Sequence, residues 1–421
     1  MSKTLTGLCY RLEPNPGHER VLSQSSGACR WLWNWALAYR EDLWLAAKSA
    51  GAVGFAAPVG YVHLSSLLPG LKQLHPWLSR APHHALQHVL RDLDGAFGKF
   101  FAGTAGYPVF KRRGERDSVH FPDSKQFSIE GNWVKLPKLG WVRLRLSRPI
   151  AGKVRNVTLS REGKFWNVGF CVEGDFSRTN AGFTPVALDL GAVTSVAQSN
   201  GIIERFPVAT AAEEKRLRWL ARRASGQKRG SARHRRTLER QRKLRRHIAN
   251  RRRDSAHKLT TRLASDHAVV VLEDLKVKPM TASARGTVDN PGKDVKKVAS
   301  RNRRFLANAH SDLRRMLTCK CERSGARLVI VNPAYTSQTC SQCSHRAPEN
   351  RKSQAVFLGV ACGLNLNADI NAALNILAAG LAVTARAGSG IAPAREPRTH
   401  PRVRRKAAGS TGIPVKAAFA A

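Results

Sequence analysis

The chain has 421 residues, 42% of them hydrophobic, enough for two or three domains with packed cores. Its 71 Lys and Arg against 29 Asp and Glu give a formal net charge of +42, far from an ordinary near-neutral enzyme, and point to a polyanion partner, nucleic acid first. With no apolar run near 18 residues and no apolar signal core in "MSKTLTGLCYRLEPNPG", a cytosolic chain without membrane contact is expected, whose eight cysteines are reduced thiols or metal ligands rather than disulfides.

Residues 3–15 read as a strand ending at "EPNPG". "SGACRWLWNWALAYREDLWLAAKSAG" follows, with Trp31 or Leu32, Trp35, Ala38 and Leu43 at helical spacing. Its tryptophans can stack on bases or pack inward, and aromatics at this spacing more often pack inward. A second amphipathic helix carries Leu86, Val89, Leu90, Leu93 and Phe97. The loop "AGYPVFKRRGERDS" brings Lys111, Arg112 and Arg113. From about 118 to 176 the period shifts toward two, as in a small β-barrel, with the helices of 20–105 inserted into it.

A second unit begins near 183 with "FTPVALDLGAV", a buried strand and a turn. The basic stretch 213–253 reads as two helices joined by "SGQKRGS". The strand "HAVVVLEDL" follows, then one continuous helix "NRRFLANAHSDLRRMLTCKCERSG" with Phe305, Ala309, Leu313, Met316 and Leu317 on its apolar side, and then the strand "ARLVIVNP". The tail after 382 is rich in Ala, Gly, Pro and Arg and reads as disordered.

Three acids stand at element ends. Asp189 closes an apolar strand, Glu273 ends "AVVVLE", and Asp369 heads the helix "ADINAALNIL". A lone charge on a buried strand costs several kcal/mol unless it is paired or bound to a cation. Hard carboxylate oxygens suit Mg²⁺, and two such ions can clamp an in-line phosphodiester displacement. Singly, each acid has a structural alternative. Asp189 can cap a turn, Glu273 can pair with an arginine and has Asp274 as a rival, and Asp369 can complement the helix dipole.

These blocks resemble the RuvC nuclease of TnpB proteins, a transposon-encoded family ancestral to type V CRISPR effectors. The resemblance rests on "YRLEPNP", "GACRWLWNWAL", "HALQHVLRDLDGAFGKFF", "YPVFKRR", "ALDLGAV", "VVVLEDL", "NPAYTSQTCSQC" and "ACGLNLNADINAALNI", in the family's order over most of the chain. It implies an α+β multidomain protein: a β-barrel wedge domain (1–18 and 106–180), a helical recognition insertion (19–105), an RNase H-like RuvC domain (181–335 and 364–381), a zinc-ribbon-like insertion (336–363) and the tail (382–421). It also implies that Asp189, Glu273 and Asp369 hold two catalytic Mg²⁺ ions. The partners implied are a guide RNA from the transposon end and target double-stranded DNA beside a short adjacent motif. Arg235, Arg236, Arg242 and Arg245, with Lys111, Arg112 and Arg113, are candidate phosphate contacts; a solvated charged face is the alternative. A guided binder that does not cut, and a transposase, remain open readings, as does monomer or dimer.

"CSQCSHRAPENRKSQAVFLGVACG" opens like a zinc ribbon with Cys340 and Cys343, but its second half keeps only Cys362. The family pattern F-x-C-x-x-C-G puts Gly359 where a ligand belongs. His345, close behind Cys343, is a candidate fourth ligand; Cys319 and Cys321 are distant, and Cys321 falls on a helix's apolar side. Were the ribbon to loosen, the helix packing face of Ile370, Ala373, Leu374 and Leu377 is expected still to hold Asp369.

Overall fold

The computed structural model describes residues 4–50, 59–115, 117–176, 182–191, 194–287, 290–308 and 310–388. Strand β1 (Thr4–Glu13) leads into α1 (Pro16–Ser49), whose start is fixed by Asn15: its side chain accepts from the His18 amide, and Pro16 is preset for the first turn. The short helices α2 (Tyr61–Ser66) and α3 (Leu68–Leu74) and the longer α4 (His83–Phe101) complete the helical segment. Strands β2 (Ser118–Phe121), β3 (Ser128–Glu130), β4 (Trp133–Leu136), β5 (Gly140–Arg145), β6 (Lys153–Glu162) and β7 (Phe165–Gly174) follow. They join β1 in one seven-stranded sheet, ordered β2-β6-β7-β1-β5-β4-β3. Because β1 sits between β7 and β5, the helices α1–α4 interrupt the sheet in sequence but not in space. Alternation along β1 buries Leu8, Tyr10 and Leu12 against Leu32, Leu37, Leu86 and Phe170 in one core. Trp33 belongs to that core, and its indole N–H donates to the Val109 carbonyl.

The second half holds a five-stranded sheet, ordered β10-β9-β8-β11-β12, from β8 (Pro185–Asp189), β9 (Val196–Gln198), β10 (Ile203–Glu204), β11 (Val269–Glu273) and β12 (Arg327–Val331). β8, β11 and β12 run parallel, while β9 and β10 are antiparallel. The basic stretch forms two helices, α5 (Ala211–Ser225) and α6 (Ala232–Asp266), as the sequence predicts. Then come α7 (Val277–Met280), α8 (Val295–Ala307), α9 (His310–Ser324), the small hairpin β13 (Val356–Leu358) and β14 (Asn365–Asn367), and α10 (Ala368–Gly388). Val186, Leu188, Val270 and Leu272 face α6 and α9, while Ala187 and Val271 face Ile376 of α10. The sheet is thus the middle of three layers. Gly380 lets α10 lie close on β11, since a Cβ there would meet the Val271 side chain at 2.5 Å.

Two expectations need correction. The helix expected over 302–325 is two helices, because Asn308 leaves the helical run and turns its side chain inward: it donates to the Gly191 carbonyl at 2.8 Å and accepts from Ser195 Oγ. The tail expected from 382 starts later, since α10 continues to Gly388; residues 389–421 lie outside the described residues. Ala368–Arg386 is also long and apolar enough to cross a membrane by length and composition, although the sequence shows no uninterrupted apolar run there. It packs instead on β8, β9, β11 and β12.

Candidate active site and cysteine cluster

Period two decides where the strand acids point. On β8, Val186 and Leu188 face α9, so Ala187 and Asp189 face α10. On β11 the same logic puts Val271 and Glu273 on the α10 face. The register Leu188↔Leu272 sets Asp189 beside Glu273 at the carboxyl ends of neighbouring parallel strands. Asp369 is the second residue of α10, which packs on that face. Between β8 and β11 the strand order reverses, the chain passing from β8 to β9 on one side and from β11 to β12 on the other, the topological position where open α/β sheets bind ligands.

The three carboxyls feel one another. Burial first, then the charges of Glu273 and Asp369, push Asp189 up to about 8, against the opposing pull of Arg351 and the Leu190 amide. Glu273 is buried and also raised by that burial, although the Thr336 hydroxyl donates to its Oε1 at 2.8 Å. Its rival Asp274 instead makes an ion pair with Arg314 at about half exposure, which leaves Glu273 as the acid on the face shared with Asp189. Asp369 is buried at 7% exposure, and Asn367 Oδ1 accepts from its amide at 2.9 Å. One arginine, Arg351, stands against these three acids, and the remaining excess of negative charge is the condition a divalent cation relieves.

Sequence reasoning missed Arg351, Thr336 and Asn308. Arg351 Nη2 stands 3.4 Å from Asp369 Oδ1, held in place by the Ser353 and Gln354 carbonyls. Asn308 clamps the turn after Asp189 through Gly191 and Ser195. None lies on a periodic apolar face; only their hydrogen-bonding chemistry in irregular segments marked them.

The sulfurs of Cys340, Cys343 and Cys362 lie within 4.8 Å of one another, with Cys340 and Cys362 at 3.4 Å. Among the described residues no fourth ligand joins them, so His345 is not brought into the set. A Cβ on Gly359 would sit 3.2 Å from Cys362 Sγ and 3.4 Å from Cys340 Sγ, so the glycine backbone occupies the fourth corner without a side chain. Burial pushes the Cys340 thiol up, but the amides of Cys343 and Gln342 and the neighbouring thiols outweigh it, and the net shift is downward. The same thiol contacts push Cys362 up, so the cluster favours one thiolate, at Cys340, the form zinc takes. Cys321 is buried in the core beside α6 and α9, as the sequence suggests.

The cysteine module is stitched to α10, which also packs on the sheet through Ala373, Ile376 and Leu377. Asn371 accepts from the Ser341 amide at 3.0 Å and donates to the Thr339 carbonyl at 2.8 Å. Asn375 donates to the Thr336 and Thr339 carbonyls. Inside the module, fully buried Asn350 joins the two cysteine turns, donating to the Gln338 and His345 carbonyls and accepting from the Val360 amide.

The basic candidates divide. Lys111 is half-buried, with its Nζ 3.7 Å from the Trp33 ring centroid and its backbone paired to Asn34, so it anchors the loop to α1. Arg112, Arg113, Arg235, Arg236, Arg242 and Arg245 are exposed, and among the described residues none of the six makes an ion pair.

Comparison with known proteins gives the family of the chain. Family models described as "Helix-turn-helix domain", "Probable transposase" and "Cas12f1-like, TNB domain" match residues 1–49, 170–284 and 310–376. The chain is 35% identical over 386 residues to a protein of Escherichia coli (strain K12) named "Putative RNA-guided DNA endonuclease InsQ", covering 91% of this chain and 94% of that one. A Streptomyces pristinaespiralis protein named "Putative RNA-guided DNA endonuclease" is 31% identical over 399 residues, 92% of each chain. A solved Cas12f1 chain, from a complex with sgRNA and target DNA, aligns at 12% identity and TM-score 0.49 over 89% of this chain and 98% of that one. The chain belongs to the TnpB family.

Proposed function

We propose that this chain is an RNA-guided, Mg²⁺-dependent endonuclease that cuts double-stranded DNA next to a short adjacent motif. The observation that carries the reading is the meeting of Asp189, Glu273 and Asp369 at the carboxyl edge of the five-stranded sheet, with Asp189 pushed up to about 8 by burial and its two neighbours. Family membership and the names of the relatives support it. The strand order and the parallel β8, β11 and β12 support an RNase H-like nuclease unit.

In this reading the three carboxylates are the ligands of two divalent ions, which when bound supply the Lewis acid for phosphodiester hydrolysis. Thr336 fixes the Glu273 carboxylate, Asn367 fixes the start of the Asp369 helix, and Asn308 fixes the turn that aims Asp189. Arg351 is placed to bind a non-bridging phosphate oxygen and to offset the charge that builds on it. Cys340, Cys343 and Cys362 would hold a structural zinc ion, which would keep the module, and so Arg351, in register. The exposed arginines of α6 follow the guide RNA or its DNA heteroduplex.

The test is co-expression with the native flanking DNA, sequencing of the bound RNA, and plasmid cleavage against a randomised flank. Cutting that needs Mg²⁺ and vanishes in Asp189→Ala is expected. Bound RNA without cutting would replace the nuclease by a guided binder, and products joined to a new site would restore the transposase.

A further inference from the structure

A cleft of about 480 Å³ opens on the α9 side of the sheet and reaches Glu273 at the edge. Its size falls within the range of small-molecule pockets. Leu190, Leu272, Val277 and Pro279 make its walls apolar. At its inner end stands His310, only 4% exposed, with the Phe305 ring edge-on at 4.3 Å. Neither ring nitrogen of His310 closes a well-formed hydrogen bond; the Gly191 backbone comes nearest to partnering one of them, and its carbonyl already accepts from Asn308. Buried polar groups are nearly always paired, so an orphaned imidazole in a cleft wall points to a missing ligand.

We infer that this cleft takes one nucleobase of the DNA strand being cut, unstacked from its neighbours and seated next to the scissile phosphate, with His310 reading its polar edge. This rests on the nuclease reading above, which supplies the strand. The apolar walls suit the faces of a base and His310 its polar edge, while Glu273 in the same lining disfavours a phosphate there. The site is continuous with the acids, since Glu273 belongs to both. Lys276 and Arg314 line the same cleft, the latter already paired with Asp274, and suit the backbone on either side of the base. Burial lowers His310 to about 4, with the Gly191 backbone opposing, so the ring is neutral at pH 7 and keeps one N–H and one lone pair. Base edges offer partners for both.

The test uses the full chain with its guide RNA. Single abasic sites are walked across the cut region of the target. Wild type is expected to lose about tenfold in cutting rate at one position beside the cut, the size of one base contact. Val277→Trp, which fills the cleft, and His310→Ala should cut the intact target more slowly and lose that position's sensitivity. A merely structural role for His310 would slow intact and abasic targets equally and overturn the inference, as would a wild type that cuts but shows no sensitive position. If wild type does not cut, the nuclease reading fails on its own. The cleft is then judged by 2-aminopurine placed along a bound strand in Ca²⁺. A fluorescence rise at one position that Val277→Trp removes supports the pocket, and no rise at any position overturns it.

Discussion

Arg351 reaches out of the cysteine module and sets its guanidinium 3.4 Å from Asp369 Oδ1, so a residue of the module completes the acidic site. Among the described residues this is the one ion pair made by the three acids. With the Asp369 side chain 10% and the Arg351 side chain 27% exposed, the pair is largely buried, and desolvation of the two groups offsets much of its Coulomb gain. Its larger effect is expected in the reaction. Arg351→Ala should lower the rate of cutting at saturating target by about 100-fold, the loss typical of one preorganised charge-stabilising donor. RNA affinity and melting temperature should stay near wild type. A variant that melts early, or one that cuts normally, would remove Arg351 from the phosphate.

Asp189 gives the metal-free protein a definite pH dependence. Its pKa is raised from 3.8 to about 8, so between those values the folded chain holds a proton that the unfolded chain has lost. Stability is therefore highest below about pH 4 for this group and is lost as pH rises through about 8. A tenfold difference in proton affinity between the folded and unfolded chain corresponds to about 1.4 kcal/mol, and relaxation of the site reduces the sum. In EDTA, Asp189→Asn should flatten this slope and melt on the order of 5 °C above wild type at pH 8. Mg²⁺ must displace the proton, so its affinity should climb between pH 6 and 8 in wild type. Scanning fluorimetry across pH with and without Mg²⁺ reads both effects. A wild-type slope that matches the variant would mean the carboxyls stand further apart in solution.

The two strand acids were legible because an apolar run that ends in Asp or Glu can be read by period two, and the pairing register then fixes their neighbours. The missing ligand at Gly359 was legible from cysteine spacing alone. Arg351 was not: it is one of 71 Lys and Arg, in a segment without periodicity, and only the fold of the module turns it toward Asp369. Asn371 and Asn375 hid inside a helix that reads as apolar. The break at Asn308 was missed because Phe305, Leu313 and Leu317 keep helical spacing across it. Its cause is a tertiary contact with Gly191, which local propensity does not contain.

The cysteine cluster makes a quantitative claim about Gly359. Three thiolates leave a tetrahedral zinc ion with an open corner, and the glycine backbone borders it. Gly359→Cys should raise zinc affinity by on the order of 100-fold, about a quarter of the free energy of a full structural site. His345→Ala should change nothing, since His345 lies outside the set. Metal content and competition with a chromophoric chelator measure both. Co²⁺ in place of Zn²⁺ should show its tetrahedral absorption sharpen in Gly359→Cys. Equal affinity in the two proteins would mean that a fourth ligand already reaches the site.

The exposed arginines of α6 supply the last test. Helix α6 is 35 residues long, and Arg235, Arg236, Arg242 and Arg245 leave its surface with no ion pair among the described residues. Arginines without acidic partners are free to neutralise phosphates, and each phosphate contact adds about 0.7 to 0.9 to the salt dependence of binding. Changing all four to alanine should weaken guide-RNA binding at roughly 0.15 M salt and lower the slope of log K against log salt by about 3. Melting temperature should hold or rise, because mutual repulsion along the helix is relieved. A slope unchanged in the quadruple variant would assign this face to solvent and move the nucleic-acid path to Arg112 and Arg113, at the other exposed basic loop.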